Sequence, residues 1–262
     1  MQTITSATNE KIKRLVQLTT KSSARKEEGV FVAEGTKLVM EAPPEWIREI
    51  YISESCFEKM DEGFEKYFDE EAFIKVPDHV FEKISTMKTP QGMLAVVQAP
   101  SYRWNDLMGD VSLILVLEDI QDPGNVGTIF RTAEAAGVTG IVLSDKCADP
   151  LSPKVVRSTM GAIFRVPYLI TEDIPEYVSR LEDGGITCFA ARLDAADEYE
   201  KCDLTRDCAL LIGNEGNGLT AKTKEAASHG IYIPMNGKAE SLNAAVSASI
   251  LSYEARSQRS RL

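Results

Sequence analysis

The run Val111-Ser112-Leu113-Ile114-Leu115-Val116-Leu117 constrains this chain more than any other feature. It has the length of a strand and, Ser112 apart, shows no alternation of apolar and polar residues, as expected for a parallel strand covered on both faces. A glycine-bearing turn follows, then a helical stretch from Val126 to Ala136 closed by Gly137, then a second strand at Gly140-Ile141-Val142-Leu143. Strand-like runs recur at Val166–Ile170, Ile186–Ala190, Ala209–Ile212 and Ile231–Ile233, with helix-like stretches between most of them. Strands alternating with helices imply an α/β domain on a mostly parallel sheet with right-handed crossovers.

The pattern is looser upstream of a weak boundary at Ala99-Pro100-Ser101-Tyr102-Arg103-Trp104-Asn105. Short β-type runs (Val30–Val32, Ile50–Ile52, Leu94–Val97) lie among helical stretches such as Asn9 to Thr19, and Pro43-Pro44 interrupts one of these. The expected organisation is a small α/β domain over residues 1–100, a linker over 101–110 and the regular α/β domain over 111–262.

Charge and composition narrow the function classes. Acidic residues outnumber basic ones by 40 to 29, a net charge of -11, which excludes a uniformly basic surface but allows a local patch. Lys11, Lys13, Arg14, Lys21, Arg25 and Lys26 face the single acid Glu10 in the first 26 residues, and Arg256, Arg259 and Arg261 face Glu254 near the end. Between them the segment 27–71 is acidic, through Asp61-Glu62 and Asp69-Glu70-Glu71. Basic ends on an acidic body mark either a polyanion-binding edge or ordinary solvated helices. The start Met1–Ser6 is polar, without the apolar run of a signal peptide, and no stretch is long enough to span a bilayer. Five cysteines without a C-x-x-C pair read as reduced thiols of a cytoplasmic protein, and two histidines argue against a histidine-rich metal site.

Three stretches carry chemistry. In the first, Glu118-Asp119-Ile120-Gln121-Asp122-Pro123-Gly124-Asn125-Val126-Gly127-Thr128-Ile129-Phe130-Arg131-Thr132-Ala133, a parallel strand gives way to a helix, the end of a sheet at which α/β proteins bind ligands. Gly124 and Gly127 let backbone approach a ligand, the helix N-terminus favours phosphate, and Arg131 lies about one turn further on. Asn125 is equally suited to capping the helix. The stretch is neither a G-x-G-x-x-G fingerprint nor a Walker P-loop. In the second, Leu210–Leu219, a strand ends in a loop with Gly213, Gly216 and Gly218 around Glu215, able to mould itself around a flat ring or simply to turn. The third, Ile231–Asn243, leads into a helix reaching about Arg256. There Leu242, Val246, Ile250 and Tyr253 form an apolar stripe, Ala245, Ser249 and Ser252 allow close helix approach, and Ser241 is a natural N-cap.

Together, in this order and spacing, the three stretches closely resemble the signature motifs of the SpoU/TrmH family of RNA ribose methyltransferases, of the SPOUT class. The family patterns N-x-G-x-x-x-R-x-A, G-x-E-G-x-G and I-P-M…S-L-N are met by Asn125, Gly127, Arg131 and Ala133, by Gly213, Glu215, Gly216 and Gly218, and by Ile233, Pro234, Met235, Ser241, Leu242 and Asn243. Phe31-Val32-Ala33-Glu34-Gly35 and Lys88-Thr89-Pro90-Gln91-Gly92 more loosely resemble elements of the family's N-terminal substrate-binding domain. That likeness lends weight to the basic first 26 residues as an RNA-facing surface.

The resemblance implies a C-terminal domain with a deep trefoil knot and a pocket for S-adenosylmethionine formed by the second and third motifs. It places Gly213, Gly216, Ile233, Met235 and Leu242 at the cofactor. It makes Asn125, Arg131, Glu215, Ser241 and Asn243 the catalytic set, needs no metal, and implies a homodimer to which the C-terminal helix contributes. The implied reaction is transfer of the activated methyl to a ribose 2′-hydroxyl of structured RNA, ribosomal rather than transfer RNA, with neither DNA nor membrane as partner. A guanidinium keeps its proton in proteins, so Arg131 is expected to hold a phosphate and stabilise developing oxyanion charge. Two other readings are an RNA-binding protein of the same fold that transfers no methyl group, and an unrelated nucleotide-dependent enzyme built on Gly124–Gly127.

Overall fold

A computed structural model describes residues 2–60 and 72–261. The acidic residues Asp61-Glu62 and Asp69-Glu70-Glu71 lie outside them. The chain divides into two compact units, Met1–Pro100 with Asp149–Phe164, and Ser101–Ala148 with Arg165–Leu262.

The N-terminal unit contains β1 (Gln2–Thr3), α1 (Glu10–Thr20), α2 (Ser22–Glu28), β2 (Val30–Glu34), α3 (Thr36–Glu41), β3 (Ile47–Ser53), α4 (Glu54–Phe57), β4 (Phe73–Val76), α5 (Asp78–Ile84) and β5 (Met93–Gln98). Its sheet has the order β1-β4-β3-β5-β2, parallel at β1–β4 and β4–β3 and antiparallel where β5 meets β3 and β2. Asn9 caps α1 by accepting from the Lys11 amide, and the helix buries Ile12, Leu15 and Leu18 at helical spacing against the sheet.

Four of the six basic residues of this region pair with acids. Arg14 pairs with Glu28 at 2.6 Å and Glu49 at 2.8 Å, Lys13 with Glu10 at 2.7 Å, and Lys11 with Glu49 at 3.8 Å. Arg25 is buried, donating to the Leu18 carbonyl at 2.8 Å and to Asp149 at 2.5 Å. The basic charge of the first 26 residues is therefore partly offset by neighbouring acids, while Lys13, Lys21 and Lys26 stay exposed. The partners run from Glu10, three residues from Lys13, to Asp149, leaving Lys21 and Lys26 without a carboxylate among the described residues.

The other elements are, in chain order, β6 (Leu113–Leu117), α6 (Pro123–Ala136), β7 (Gly140–Ser144), α7 (Pro153–Ser158), β8 (Tyr168–Thr171), α8 (Ile174–Asp183), β9 (Thr187–Ala191), β10 (Asp197–Glu198), β11 (Cys208–Ile212), α9 (Ala221–Ala226), β12 (His229–Tyr232) and α10 (Ala244–Arg259). Of these, α7 belongs to the N-terminal unit and packs on β2. The remainder build one sheet of order β10-β12-β9-β11-β6-β7-β8 in which every pairing is parallel. Its middle strands β6 and β11 are buried along their whole length, as the apolar run required. Helices α8 and α9 pack together on one face, while α6 and α10 pack together on the other. Among the described residues no helix is long and apolar enough to cross a membrane.

Two helix starts differ from expectation. Asp122, not Asn125, caps α6, its carboxylate accepting from the Asn125 amide at 2.9 Å. Asn243, not Ser241, caps α10, accepting from the Ala245 and Val246 amides. The buried face of α10 is also not its large apolar stripe. Ala244, Ala245, Ala248, Ser252 and Ala255 are buried with Leu251, whereas Val246 and Tyr253 are each 45% exposed. Small residues win because they let α10 lie close against α6, where Ser249 donates its hydroxyl to Thr132.

Candidate active site

Because every strand of the large sheet is parallel, the loops leaving β6, β11 and β12 emerge from one edge. Strand β11 pairs with β6, and the order of connections reverses there: β6, β7 and β8 run outward one way, β9 and β12 the other. A reversal of this kind opens a crevice at the carboxyl ends of the strands. The chain then returns from β12 to α10, which packs on α6, β11 and β6 and carries the third motif back to the first two.

A hydrogen-bonded chain of side chains joins all three motifs. Asn243 Nδ2 donates to Asn125 Oδ1 at 3.0 Å, and Asn125 Nδ2 donates to Glu215 Oε1 at 2.6 Å. The cap positions explain how this is possible. Asp122 serves the α6 amides, so the Asn125 side chain is free to bridge. Asn243 satisfies α10 through its oxygen and reaches Asn125 through its nitrogen.

Beside this chain lies a cavity of about 400 Å³, within the 300–1,000 Å³ typical of ligand sites. Gly213, Gly216, Ile233, Met235 and Leu242 all line it, with Glu215 and Ser241. Glu215 thus belongs both to the cavity wall and to the bridge. Asn125 and Asn243 stand behind the wall. Arg131 is not brought into either group. It lies exposed on α6, with no hydrogen bond or ion pair among the described residues.

The loop after β11 is held by groups that motif reading passed over. Asn214 Oδ1 accepts from the amides of Gly216 at 2.9 Å and Asn217 at 3.1 Å, while its Nδ2 donates to the Asp119 carbonyl at 2.9 Å. Gly213 sits so tightly under the returning loop that a Cβ there would lie 2.2 Å from the Gly218 carbonyl carbon. Buried Glu118 accepts from the Thr220 amide and from the hydroxyls of Thr220 and Thr223, pinning the exit of the loop at the start of α9. A carboxylate directly after a buried strand was the available signal for Glu118.

Arg192 also lines the cavity, packed against Gly230, and its Nε is buried without a hydrogen-bond partner among the described residues. Nothing in the local sequence marked it. Tyr232, on the same wall, donates its hydroxyl to Glu198 at 3.1 Å, and that bond to a carboxylate raises its phenolic pKa.

Residues 112–253 match the SpoU rRNA Methylase family and residues 9–95 match an MRM3-like substrate binding domain. The chain belongs to the SpoU rRNA methylase family. Among its relatives, the 23S rRNA (guanosine(2553)-2'-O)-methyltransferase RlmP of Bacillus subtilis is 33% identical, covering 98% of this chain and 100% of that protein. An AdoMet-bound rRNA methyltransferase from Sinorhizobium meliloti superposes with a TM-score of 0.85 at 31% identity, covering 98% of this chain and 97% of that one. The SpoU methyltransferase AviRb from Streptomyces viridochromogenes, in complex with AdoMet, gives 0.85 at 25% identity over 97% and 100% of the two chains. The α/β fold expected from the SpoU motifs is the fold observed.

The cavity fits the SpoU cofactor on its own terms. Its glycine-rich wall offers backbone amides and carbonyls at close approach, its apolar residues suit a flat purine, and the Gly213 cradle leaves no room for a side chain.

Proposed function

We propose that this protein transfers a methyl group from S-adenosylmethionine to a ribose 2′-hydroxyl of ribosomal RNA, in the cytoplasm and as a homodimer. In this reading residues 1–100 grip the RNA and residues 111–262, knotted through the loop after β11, carry the reaction. The observation that carries it is the Asn243–Asn125–Glu215 bridge, which ties three sequence-remote motifs into one wall beside the cavity.

Bound there, S-adenosylmethionine supplies a methyl group already activated on a sulfonium. Gly213, Gly216, Ile233, Met235 and Leu242 hold it, and the protein's remaining task is to place a hydroxyl in line with it. Orientation of this kind contributes roughly 7–11 kcal/mol to a bimolecular step. Glu215 and Ser241 face the cavity and orient the reacting groups, with Asn125 and Asn243 holding Glu215 in place. Arg131, exposed and free of internal partners among the described residues, holds the phosphate next to the target ribose. The exposed Val246 and Tyr253 on α10 supply apolar surface for pairing with a second copy.

Incubation of the purified protein with labelled S-adenosylmethionine and undermethylated ribosomal RNA tests the reading. A new 2′-O-methyl position is the expected outcome. Binding of both ligands without transfer would leave a protein that only recognises RNA. A second expectation concerns Gly213→Ala. Forcing a methyl into the loop backbone costs about 1–3 kcal/mol, so calorimetry with S-adenosylhomocysteine should show affinity weakened roughly 5- to 150-fold. Unchanged affinity would mean that the cofactor sits elsewhere.

A further inference from the structure

The N-terminal unit contains a cavity of its own, about 150 Å³, built from the end of β2, α3 from Lys37 to its last residue Glu41, the side chains Met87 and Gln91, and Arg157 with Met160. Three features distinguish it from a packing void.

The first is a donor held ready. Gln91, itself exposed, accepts through Oε1 from the Thr36 amide at 3.2 Å, which leaves Nε2 without a partner among the described residues. Gly35 makes this possible. Its φ is +111°, and a Cβ there would come within 2.9 Å of Gln91 Oε1. The second feature is a rigid floor. Buried Glu34 accepts from the Ser85 hydroxyl, from the Thr86 amide at 2.9 Å and from the Thr86 hydroxyl at 2.6 Å, and Arg157 donates to that hydroxyl at 3.1 Å. Its acid is satisfied, so the cavity does not present it as a free charge. The third is the rim. Met87 and Met160 bring polarisable thioethers, Met160 from a left-handed backbone (φ 51°) that leaves it 47% exposed. Lys37 is exposed and pairs with no carboxylate among the described residues, in contrast to Lys11, Lys13, Arg14 and Arg25.

We propose that this cavity is a subsite for one unstacked base of the RNA substrate, with Gln91 Nε2 donating to the base edge and Lys37 and Arg157 holding the adjoining phosphate. The chemistry follows from the lining. A cavity of this size takes one aromatic ring system, and thioethers pack well on its face. Single-stranded RNA is read by splayed-out bases that are stacked and hydrogen-bonded on their edges. The proposal rests on the reading of this protein as an enzyme acting on RNA, and it assigns part of the specificity to residues of the N-terminal unit.

Methionine-methyl NMR on the full chain tests both readings separately. Addition of a short single-stranded RNA of mixed sequence should shift the Met87 and Met160 methyl signals through ring currents, whereas inorganic polyphosphate at the same charge should not. Addition of S-adenosylhomocysteine should shift Met235 alone. RNA that binds without moving Met87 and Met160, or polyphosphate that moves them equally, overturns the subsite. A silent Met235 counts instead against the transfer cavity. Gln91→Ala should raise KM for the RNA roughly 3- to 10-fold, the loss of one hydrogen bond, while the Met235 response to S-adenosylhomocysteine persists. An unchanged KM removes Gln91 from base reading.

Discussion

Arg131→Ala is expected to lower methyl transfer roughly 10²- to 10³-fold, the loss seen when one preorganised donor to a developing oxyanion is removed. The fold should not suffer. Helix α6 is anchored by Val126, Ile129, Phe130 and Ala133, all buried, whereas Arg131 is exposed and touches no carboxylate among the described residues. Surface truncations of this kind change stability by no more than about 0.5 kcal/mol. Cofactor affinity should also hold, because Arg131 does not line the 400 Å³ cavity. The expected signature is therefore a loss of turnover with S-adenosylhomocysteine binding intact. Arg131→Lys should recover only part of the rate, since it keeps the charge but loses the planar fork that grips a phosphate in two places. Normal turnover by Arg131→Ala in a single-turnover assay would remove the residue from the mechanism.

Arg25→Ala is expected to destabilise the N-terminal unit by about 3–5 kcal/mol, the usual cost of breaking a buried pair from one side. Arg25 is 5% exposed and joins the Leu18 carbonyl near the end of α1 to Asp149, 124 residues further on, at the start of the segment that returns to this unit. Removing it strands both. A thermal midpoint lowered by on the order of 10 °C is the measurable result. The pair also dictates a pH dependence. Burial opposes ionisation of Asp149, but the hydrogen bond and charge of Arg25 prevail and hold its carboxyl below the ordinary range. Its contribution is then fully present above the unfolded value of about 3.9 and is lost as pH falls through the lower folded value. The stability gap between the wild type and Asp149→Asn should accordingly be wide at neutral pH and close on acidification below about pH 4. A gap independent of pH in chemical denaturation would show that Arg25 stabilises by packing alone.

The parts of this molecule that could be read from the chain are those set by local pattern. The apolar run at β6 demanded burial on both faces and received it, and Gly137 closes α6 in the left-handed conformation that a helix end favours. The residues that line the 400 Å³ cavity were likewise legible as a group, because glycines and the I-P-M segment leave a signature in spacing. Less visible were β4 and the two-residue β1 and β10, too short to announce themselves without their neighbours.

Whatever depended on partners far along the chain was decided by the tertiary structure. Ser241 and Asn243 are both capable caps, and the choice fell to Asn243 because only its amide also meets Asn125, at a residue 118 positions away. The basic N-terminal residues look like an open patch until Glu28, Glu49 and Asp149 fold onto them. The large apolar residues of α10 look like its inner face until α6 arrives, too near to admit anything but small side chains. Periodicity, capping chemistry and glycine spacing act over a few residues and are written in order along the chain. Charge neutralisation, helix approach and the bridge from Asn243 to Glu215 are set by distances in space, and those exist only once the parallel sheet has brought its loops to one edge.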